Sequence, residues 1–338
     1  MNRCLFCYQS LVSEGGDFHP ACSKKMFGQA IPPELPYVEG QMEELATQVI
    51  QHQVTLTGVQ PKISLSIGSS GRLAEPRRFT IVGLWGEYIL KPPSVHYLQL
   101  PEVEDLTMHL AEIAKIAVVP HSLIRLQSGN LAYITRRIDR TKTGMLHMED
   151  MCQLTERLTE DKYNGSYEQI AHAILRYAAN PGLDVVNFFE QVLFSFLTGN
   201  ADMHLKNFSL IRLAPDRHVL TPGYDMLATA LVNPDDTEEL ALTLNGKKKK
   251  IRRTDFIAAF ATCQLTPKQQ ENIFRKMERA YAAWIDMIGR SFLGDDLKSA
   301  YQQLLEERFK RLDLNPSSTE NPPKKHIRPA HNPWRSKK

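Results

Sequence analysis

The sequence predicts an α+β fold with two lobes, a β-rich first lobe and an all-helical second lobe. Short segments with alternating or β-branched apolar residues recur between residues 63 and 138. Between residues 148 and 288 the apolar residues recur instead at the spacing of amphipathic helices. A loop that contains Asp, Asn, His and Lys, residues 199–207, follows the most apolar of these helical segments. We therefore expect the chemistry to lie where the two lobes meet.

The composition is that of an ordinary globular protein. The chain has 338 residues, of which 42% are apolar and 23% charged. It has no run of about 18 apolar residues and no apolar segment at its start, so we expect neither a membrane span nor a signal peptide, and a cytoplasmic location. The net charge of +3 is too small to indicate nucleic-acid binding, and we expect no direct sequence-specific DNA binding.

Three of the five cysteines cluster with one histidine near the start of the chain, as Cys4, Cys7, His19 and Cys22. Two short-spaced ligand pairs joined by a loop suit a tetrahedral structural Zn²⁺. The spacing is not one of the commonest finger patterns, so a cysteine-containing knuckle without metal remains the alternative. An odd number of cysteines in a reducing compartment argues against a disulfide framework.

The first lobe is predicted to contain a helix over Gln41–His52, a strand over Ile63–Ile67 and two further strands between residues 77 and 90. The loop TLTGVQPK precedes the first strand, and a small loop with glycine and hydroxyl residues can bring backbone N–H groups against phosphates. An ordinary hairpin loop is the alternative. The candidate phosphate-binding residues of this loop are Thr57, Gly58, Val59, Gln60 and Lys62.

Lys91 ends the last of these strands, and an amphipathic helix over Glu102–Lys115 follows it. A lysine at a strand end can hold nucleotide phosphates if a helix supplies a carboxylate to orient it. We expect Glu104 to be that carboxylate, with Glu102 as second choice. Either glutamate could instead lie in solvent near the helix N-terminus, where acidic residues are favoured.

The loop at residues 199–207 has the form of a kinase catalytic loop. Asp202 can accept a substrate proton and Asn207 can bind a metal ion, while Asp225, eighteen residues later, can bind a Mg²⁺ that bridges nucleotide phosphates. His204 and Lys206 lie between the first two. The alternative is that Asp202 and Asn207 cap helices or form Asx turns.

Seven segments, in order, resemble the HipA-like serine/threonine kinases of bacterial toxin–antitoxin modules. They are TGVQPK, ILKPP, RRIDR, HMEDMCQ, KYNGSYEQIA, GNADMHLKNFSL and TPGYDML. The resemblance covers roughly residues 50–310 and implies a protein-kinase-like fold that uses ATP and Mg²⁺. It implies Asp202 as catalytic base, with His204 and Lys206 in the same loop, and Asn207 and Asp225 as metal ligands. It also implies Lys91 as the phosphate lysine, and the backbone from Arg136 to Ile138 at the adenine.

Only about fifty residues precede the glycine-containing loop, where HipA toxins carry a subdomain of roughly one hundred residues. The chain therefore resembles the short HipT type, for which the missing subdomain is a separate small protein, HipS, encoded with a DNA-binding protein, HipB. The resemblance further implies an aminoacyl-tRNA synthetase as target, tryptophanyl-tRNA synthetase being favoured. It also implies autophosphorylation in the loop, here at Thr55 or Thr57. The alternative there is that both threonines are ordinary strand and turn residues.

The sequence thus predicts a serine/threonine protein kinase that acts as a toxin. A kinase-like module that binds partners without catalysis, and a small-molecule kinase, are the competing classes. The predicted division of the chain is a knuckle over residues 1–30, a small lobe over 31–138, a helical lobe over 139–314 and a disordered basic tail over 315–338.

Overall fold

A computed structural model describes residues 2–11, 16–42, 44, 62–68, 77–82 and 85–316 of the chain. The first lobe is built on a five-stranded antiparallel sheet with the strand order β2-β1-β3-β5-β4. Alternation in β1 turns Ile63 and Leu65 into the core, as the sequence ISLSI predicts. The strands are β1 (Ile63–Ile67), β2 (Phe79–Ile81), β3 (Tyr88–Lys91), β4 (His121–Arg125) and β5 (Leu131–Arg136).

The helices lie before, within and after this sheet along the chain. In chain order they are α1 (Pro20–Phe27), α2 (Leu100–Ile113), α3 (Met151–Leu154), α4 (Tyr167–Tyr177), α5 (Pro181–Leu197), α6 (Thr229–Val232), α7 (Arg253–Thr262), α8 (Pro267–Gly289) and α9 (Asp295–Arg311). Capping boxes begin α4 at Ser166 and α8 at Thr266, where the hydroxyl accepts from the backbone N–H three residues later. The helical starts are therefore encoded locally.

Helix α2 joins the two lobes. It packs on β4 and β5 of the sheet and on α8 of the second lobe. The indole N–H of Trp284 donates to the Leu110 carbonyl at 2.7 Å, and the hydroxyls of Thr107 and Tyr301 lie 2.9 Å apart. Both contacts are buried. Because both lobes hold α2, its side chains have fixed positions at the lobe junction.

The second lobe is mainly helical around α5, whose phenylalanines at 188, 189, 194 and 196 are all fully buried. The prediction of an all-helical lobe is corrected in one respect, because this lobe also contains two small sheets. The region predicted to be helical from residue 148 onward begins as a strand, and its first helix starts only after Asp150, which caps it. The strands are β6 (Arg140–Thr141), β7 (Gly144–Met145), β8 (Met148–Asp150), β9 (Ser209–Ala214) and β10 (Arg217–Leu220).

The α+β fold class is confirmed, as are the strand at Ile63–Ile67 and the helices over most of the second lobe. Strand β4 and helix α9 were not predicted. Residues 39–42 are helical, and most of the predicted helix over Gln41–His52 lies outside the described residues. Among the helices of the described ranges, none has the length and apolar character that crossing a membrane requires.

Candidate active site

Lys91 lies at the end of β3 and contacts the first predicted partner, Glu104 on α2. The ammonium Nζ of Lys91 is 2.5 Å from Glu104 Oε1, and both side chains are buried. The structure thus brings Glu104, the first choice of the sequence analysis, to the lysine. No contact joins Lys91 to Glu102 among the described residues. The second oxygen of Glu104, Oε2, is buried and accepts no hydrogen bond within the described part of the chain.

Asp225 is the second carboxylate at Lys91. It forms an ion pair with Lys91 through Oδ1, and Lys62 Nζ lies 3.0 Å from Oδ2. Asp225 lies in the loop after β10 with φ +60°, a left-handed conformation that aspartate tolerates better than most residues. Two ammonium groups from β3 and from the start of β1 therefore meet one carboxylate from the second lobe. This contact connects the lobes.

Charge and burial act in opposite directions at these groups. Burial opposes the charge of Lys91, but the carboxylates of Asp225 and Glu104 outweigh it and hold the Lys91 pKa above its ordinary value. Burial raises the pKa of Asp225, but the charges of Lys91 and then Lys62 outweigh burial and hold that pKa well below the usual range. Burial raises the pKa of Glu104 to about 7, with Lys91 acting against it. The lysines therefore hold Asp225 as an anion, whereas burial acts against the charged form of Glu104.

The predicted catalytic loop begins where α5 ends. Gly199 has φ +70°, and a Cβ built there would lie 2.7 Å from Leu304 Cδ2, so both conformation and space favour glycine. The side-chain N–H₂ of Asn207 donates to the backbone carbonyl of Asp202 at 2.9 Å. This bond orients the amide, and its oxygen is the atom left for another partner. A hydrogen bond thus joins Asn207 and Asp202, the two residues of the predicted Asp–Asn pair.

Tyr163 is a contact of Asp202 that the sequence analysis did not identify. Its hydroxyl donates to Asp202 Oδ1 at 2.5 Å. Its ring also meets the His204 ring edge-on, with 5.0 Å between centroids. Tyr163 belongs to the segment KYNGSYEQIA, one of the seven that carried the resemblance. That membership was the available signal, although sequence alone did not indicate which atom Tyr163 contacts.

His204 and Lys206 have different surroundings. His204 is buried, and burial lowers its pKa against the opposing charges of Asp202 and Asp225, so the ring is neutral near pH 7. Lys206 donates to Asp150 Oδ2 at 2.8 Å, and its backbone carbonyl accepts from the Tyr224 hydroxyl at 3.0 Å. The Asp150 and Tyr224 partners were also missed from the sequence, because they come from segments distant along the chain.

The backbone N–H groups of the connector after β5, the predicted adenine contacts, differ in whether they already form hydrogen bonds. The N–H of Arg136 donates to the Pro120 carbonyl at 2.9 Å and is therefore occupied. Ile138 is partly buried, and its N–H forms no backbone hydrogen bond to another described residue. The N–H of Arg137 is occupied as well, by the Glu87 carbonyl at 2.8 Å, so among the described residues Ile138 has the predicted adenine-contact N–H without a backbone hydrogen bond.

Five residues of the predicted phosphate loop and autophosphorylation site lie outside the described residues: Thr55, Thr57, Gly58, Val59 and Gln60. Lys62, the last residue of that predicted loop, is described and contacts Asp225. The four predicted ligands of the knuckle are described as well, and the ligand atoms of Cys4, Cys7, His19 and Cys22 all lie within 4.8 Å of one another.

The residues at the lobe junction fit a magnesium nucleotide. Mg²⁺ takes oxygen ligands and is usually bound by one or two carboxylates together with substrate phosphates. The Asp225 carboxylate and the oriented Asn207 amide supply such oxygens. Lys91 and Lys62 are the cations that phosphate oxygens require, and both already contact an anion at this place.

Over residues 54–285 the chain matches the family described as the HipA-like C-terminal domain. A Sinorhizobium fredii protein named "Putative kinase Y4dM" is 32% identical over 248 residues, which are 68% of this chain and 59% of that protein. The "Serine/threonine-protein kinase toxin HipA" of Shewanella oneidensis is 25% identical over 215 residues, 58% of this chain and 47% of the toxin. The chain therefore spans about half the length of these relatives.

Two solved structures share the fold. One is the Shewanella oneidensis toxin–antitoxin complex of HipA, HipB and operator DNA, with a TM-score of 0.64 and 21% identity over 89% of this chain and 80% of that one. The other is the Helicobacter pylori proinflammatory kinase CtkA, with a TM-score of 0.52 and 14% identity over 74% and 93%. At these identities the likeness shows a kinase-like α+β fold.

Proposed function

Because the chain belongs to the HipA-like C-terminal domain family, we propose that it is an ATP- and Mg²⁺-dependent serine/threonine protein kinase that acts as a toxin. One observation carries the proposal. Lys91, held by Glu104 on α2, also pairs with Asp225 of the second lobe. Kinase catalysis needs a lysine–glutamate pair and a metal-binding aspartate that act together, and these three residues have that arrangement.

The roles of the chain's own residues follow from their contacts. Tyr163 occupies Oδ1 of Asp202, which leaves Oδ2 to accept the proton of a substrate hydroxyl. Asn207 and Asp225 would hold Mg²⁺, and Lys91 and Lys62 would bind phosphates. When bound, MgATP supplies the phosphoryl group and neutralises the charge that develops on it. Neutral His204 would support the loop without adding charge beside Asp202.

Loop autophosphorylation is the finer part of the proposal. A phosphate on Thr55 or Thr57 would add about −1.5 to −2 charges. Lys62 lies five residues after Thr57 and contacts Asp225, so the end of this loop reaches the proposed nucleotide site. A phosphate on the loop would compete there with ATP phosphates. Intact mass after incubation with MgATP, followed by peptide mapping, should find one phosphate at Thr55 or Thr57 in wild type and none in Asp202→Asn.

We propose the short HipT type, with a HipS-like small protein and a HipB-like DNA-binding protein as partners. The seven ordered motifs support a HipA-like kinase, and the HipB in the Shewanella complex supports an antitoxin partner. We propose an aminoacyl-tRNA synthetase as substrate, with tryptophanyl-tRNA synthetase favoured. Phosphoproteomics after brief expression would identify the target. A dominant phosphosite on a protein outside this enzyme class would contradict the substrate proposal.

Phosphoryl transfer from labelled ATP separates a kinase from a kinase-like module that only binds partners. Asp202→Asn should lower the rate by about 10²- to 10⁴-fold, the usual contribution of a general base. Asp216→Asn is the matched control, because Asp216 lies in the exposed β9–β10 turn with φ +57°, which Asn tolerates. Equal rates for wild type and Asp202→Asn would exclude the proposed base.

A further inference from the structure

The first residues of the chain form a compact group of four potential metal ligands. We propose that Cys4, Cys7, His19 and Cys22 bind one structural Zn²⁺, and that the metal-bound knuckle, defined as residues 2–11 and 16–28, holds α2 in place behind the active site. The second part of this inference rests on the proposed kinase function. The first part stands on the geometry of the four side chains.

The distances suit a tetrahedral ion. Zn–S bonds of about 2.3 Å and Zn–N bonds of about 2.0 Å separate two ligands of a tetrahedron by roughly 3.5–3.8 Å. Cys7 Sγ lies 3.5 Å and Cys22 Sγ 3.8 Å from His19 Nδ1. All four ligand atoms lie within 4.8 Å of one another. Three sulfurs and one imidazole nitrogen are a ligand set typical of structural zinc.

The surroundings of the ligands have the features of a metal site. The other ring nitrogen of His19, Nε2, lies 3.1 Å from the carbonyl of Ser10. Metal-binding histidines almost always donate that second N–H to a carbonyl or carboxylate, which fixes the tautomer. The backbone N–H of His19 points to Cys4 Sγ at 3.4 Å, as expected for a thiolate acceptor. All five cysteines are free of disulfides, so the four-ligand group is not a pair of bridges.

The knuckle is fastened to the first lobe. The carbonyl of Leu5 accepts from the N–H of Leu123 at 3.3 Å and from the hydroxyl of Ser122 at 3.2 Å, both on β4. Asp17 pairs with Arg125 at 2.9 Å. The knuckle therefore adds a segment beside the edge strand of the sheet.

Tyr8, which directly follows the ligand Cys7, connects the knuckle to α2. Its hydroxyl donates to Asp105 Oδ2 at 2.8 Å, and its ring meets the rings of His109 and Phe292 edge-on. Asp105 is the neighbour of Glu104 in the same helix. A metal that fixes Cys7 would thus fix Tyr8 against the helix that presents Glu104 to Lys91.

Asp105, His109 and His121 form a second group whose side-chain atoms lie close enough together to bind a metal ion. Its carboxylate is already occupied, because Asp105 accepts from Tyr8 and lies 2.6 Å from His121 Nδ1. We therefore assign this buried group to the attachment of the knuckle, and the metal to the cysteines.

Metal content is the deciding measurement. Protein purified without chelator should contain about one zinc per chain, and exchange with Co²⁺ should give the visible absorption of a tetrahedral thiolate site. Cys7→Ser and Cys22→Ser should lose the metal. Cys263→Ser, the same change at a buried cysteine that ends α7 far along the chain, should retain it. Absence of zinc from wild type, or equal zinc in Cys22→Ser and Cys263→Ser, would overturn the metal site.

Removing the metal from wild type with a chelator tests whether the metal-bound knuckle holds α2, and this test works even if the variants do not fold. The melting temperature of wild type should fall and recover with Zn²⁺ but not with Mg²⁺. MgATP affinity should fall and recover in parallel. Unchanged MgATP affinity after complete zinc removal would overturn the link to α2 and leave the metal site standing. If untreated wild type binds no nucleotide, the kinase proposal fails, while zinc content and melting still decide the metal site.

Discussion

Glu104 and Asp105 are neighbours in α2 and both are fully buried, yet they have opposite surroundings. Glu104 faces Lys91 and retains one oxygen without a hydrogen bond among the described residues, and burial raises its pKa to about 7. Asp105 faces away from the site, toward Tyr8, His109 and His121. Burial is outweighed there by His121 and His109, so the Asp105 pKa lies well below its usual range.

In the proposed kinase, the difference distinguishes a carboxylate of the active site from a structural one. A buried anion with every oxygen paired stabilises the packing around it, whereas one with an unpaired oxygen costs desolvation and persists where function requires it. In the proposed kinase, one turn of helix thus serves the active site on one side and the knuckle on the other. The same acid-to-amide change at the two positions should therefore have opposite consequences.

Asp105→Asn should have the largest effect on stability. Removing one partner of a buried ion pair costs about 3–5 kcal/mol, because the remaining charge is left unpaired. Chemical denaturation should therefore show a free energy of unfolding lower by that amount. Asp235→Asn, the same change at an exposed aspartate, should have almost no effect. A loss at Asp105 no greater than that of the control would mean that the network does not stabilise the fold.

The raised pKa of His109 predicts that the free energy of unfolding depends on pH. Burial acts against the charged ring, but Asp105 and then Glu112 outweigh it and raise the His109 pKa from 6.5 to about 9. The protonated ring is the stabilising form, so its contribution is fully present below pH 6.5 and is lost as pH rises through about 9. The loss should amount to about 3 kcal/mol between these values. The rings of Tyr8 and His121 also face the His109 ring.

Comparison of His109→Gln with the surface variant His96→Gln tests this assignment. The free energy of unfolding of wild type and of His96→Gln should fall between pH 6.5 and 9, whereas the His109→Gln curve should be flatter. Parallel curves for all three proteins would assign the pH dependence to other groups.

Glu104→Gln should leave stability nearly unchanged and lower phosphoryl transfer. Lys91 also pairs with Asp225, so removing the Glu104 charge leaves no buried charge unpaired. A neutral amide would hold Lys91 less firmly, and a misplacement of about 1 Å can cost roughly 10²-fold in rate. Glu102→Gln is the matched control on the same helix turn. A rate loss for Glu102→Gln as large as that for Glu104→Gln would contradict the assignment of the pair.

Tyr8→Phe should have the smallest effect. It removes one hydrogen bond to the Asp105 carboxylate, worth about 1.5 kcal/mol for a charged acceptor, while His109 and His121 remain. Tyr37→Phe, at a partly buried tyrosine whose hydroxyl has no hydrogen bond among the described residues, is the control. An unchanged melting temperature for Tyr8→Phe would show that the hydroxyl does not hold the knuckle on α2.

Local signals predicted much of the fold and several residues of the candidate site. The helix end at Gly199, the strand that ends in Lys91 and the Asp–Asn spacing of the catalytic loop are all readable over short distances. Residues 148–150 fall in the region predicted to be helical but form a strand, although the capping box of Asp150 and Gln153, which begins the helix at Met151, is readable in the sequence. Helix α9 was overlooked because its polar and charged residues weaken the apolar periodicity.

The long-range contacts of the site were beyond sequence reasoning. Lys62 and Asp225 are 163 positions apart, and Tyr8 and Asp105 are 97 apart. Such pairs depend on how the lobes and the knuckle pack, which no local pattern encodes. Asp105 and His109 read from sequence as ordinary polar positions of an amphipathic helix, because their partners lie on other elements.

Titration of the purified protein with ATP, with and without Mg²⁺, tests most directly whether Lys91, Glu104 and Asp225 form a nucleotide site. We expect saturable binding by wild type that strengthens with Mg²⁺. Asp225→Asn should lose the Mg²⁺-dependent part, and Asp216→Asn should behave as wild type. Absence of ATP binding by folded wild type, or the same Mg²⁺ dependence in Asp225→Asn, would contradict the assignment of this group as a kinase active site.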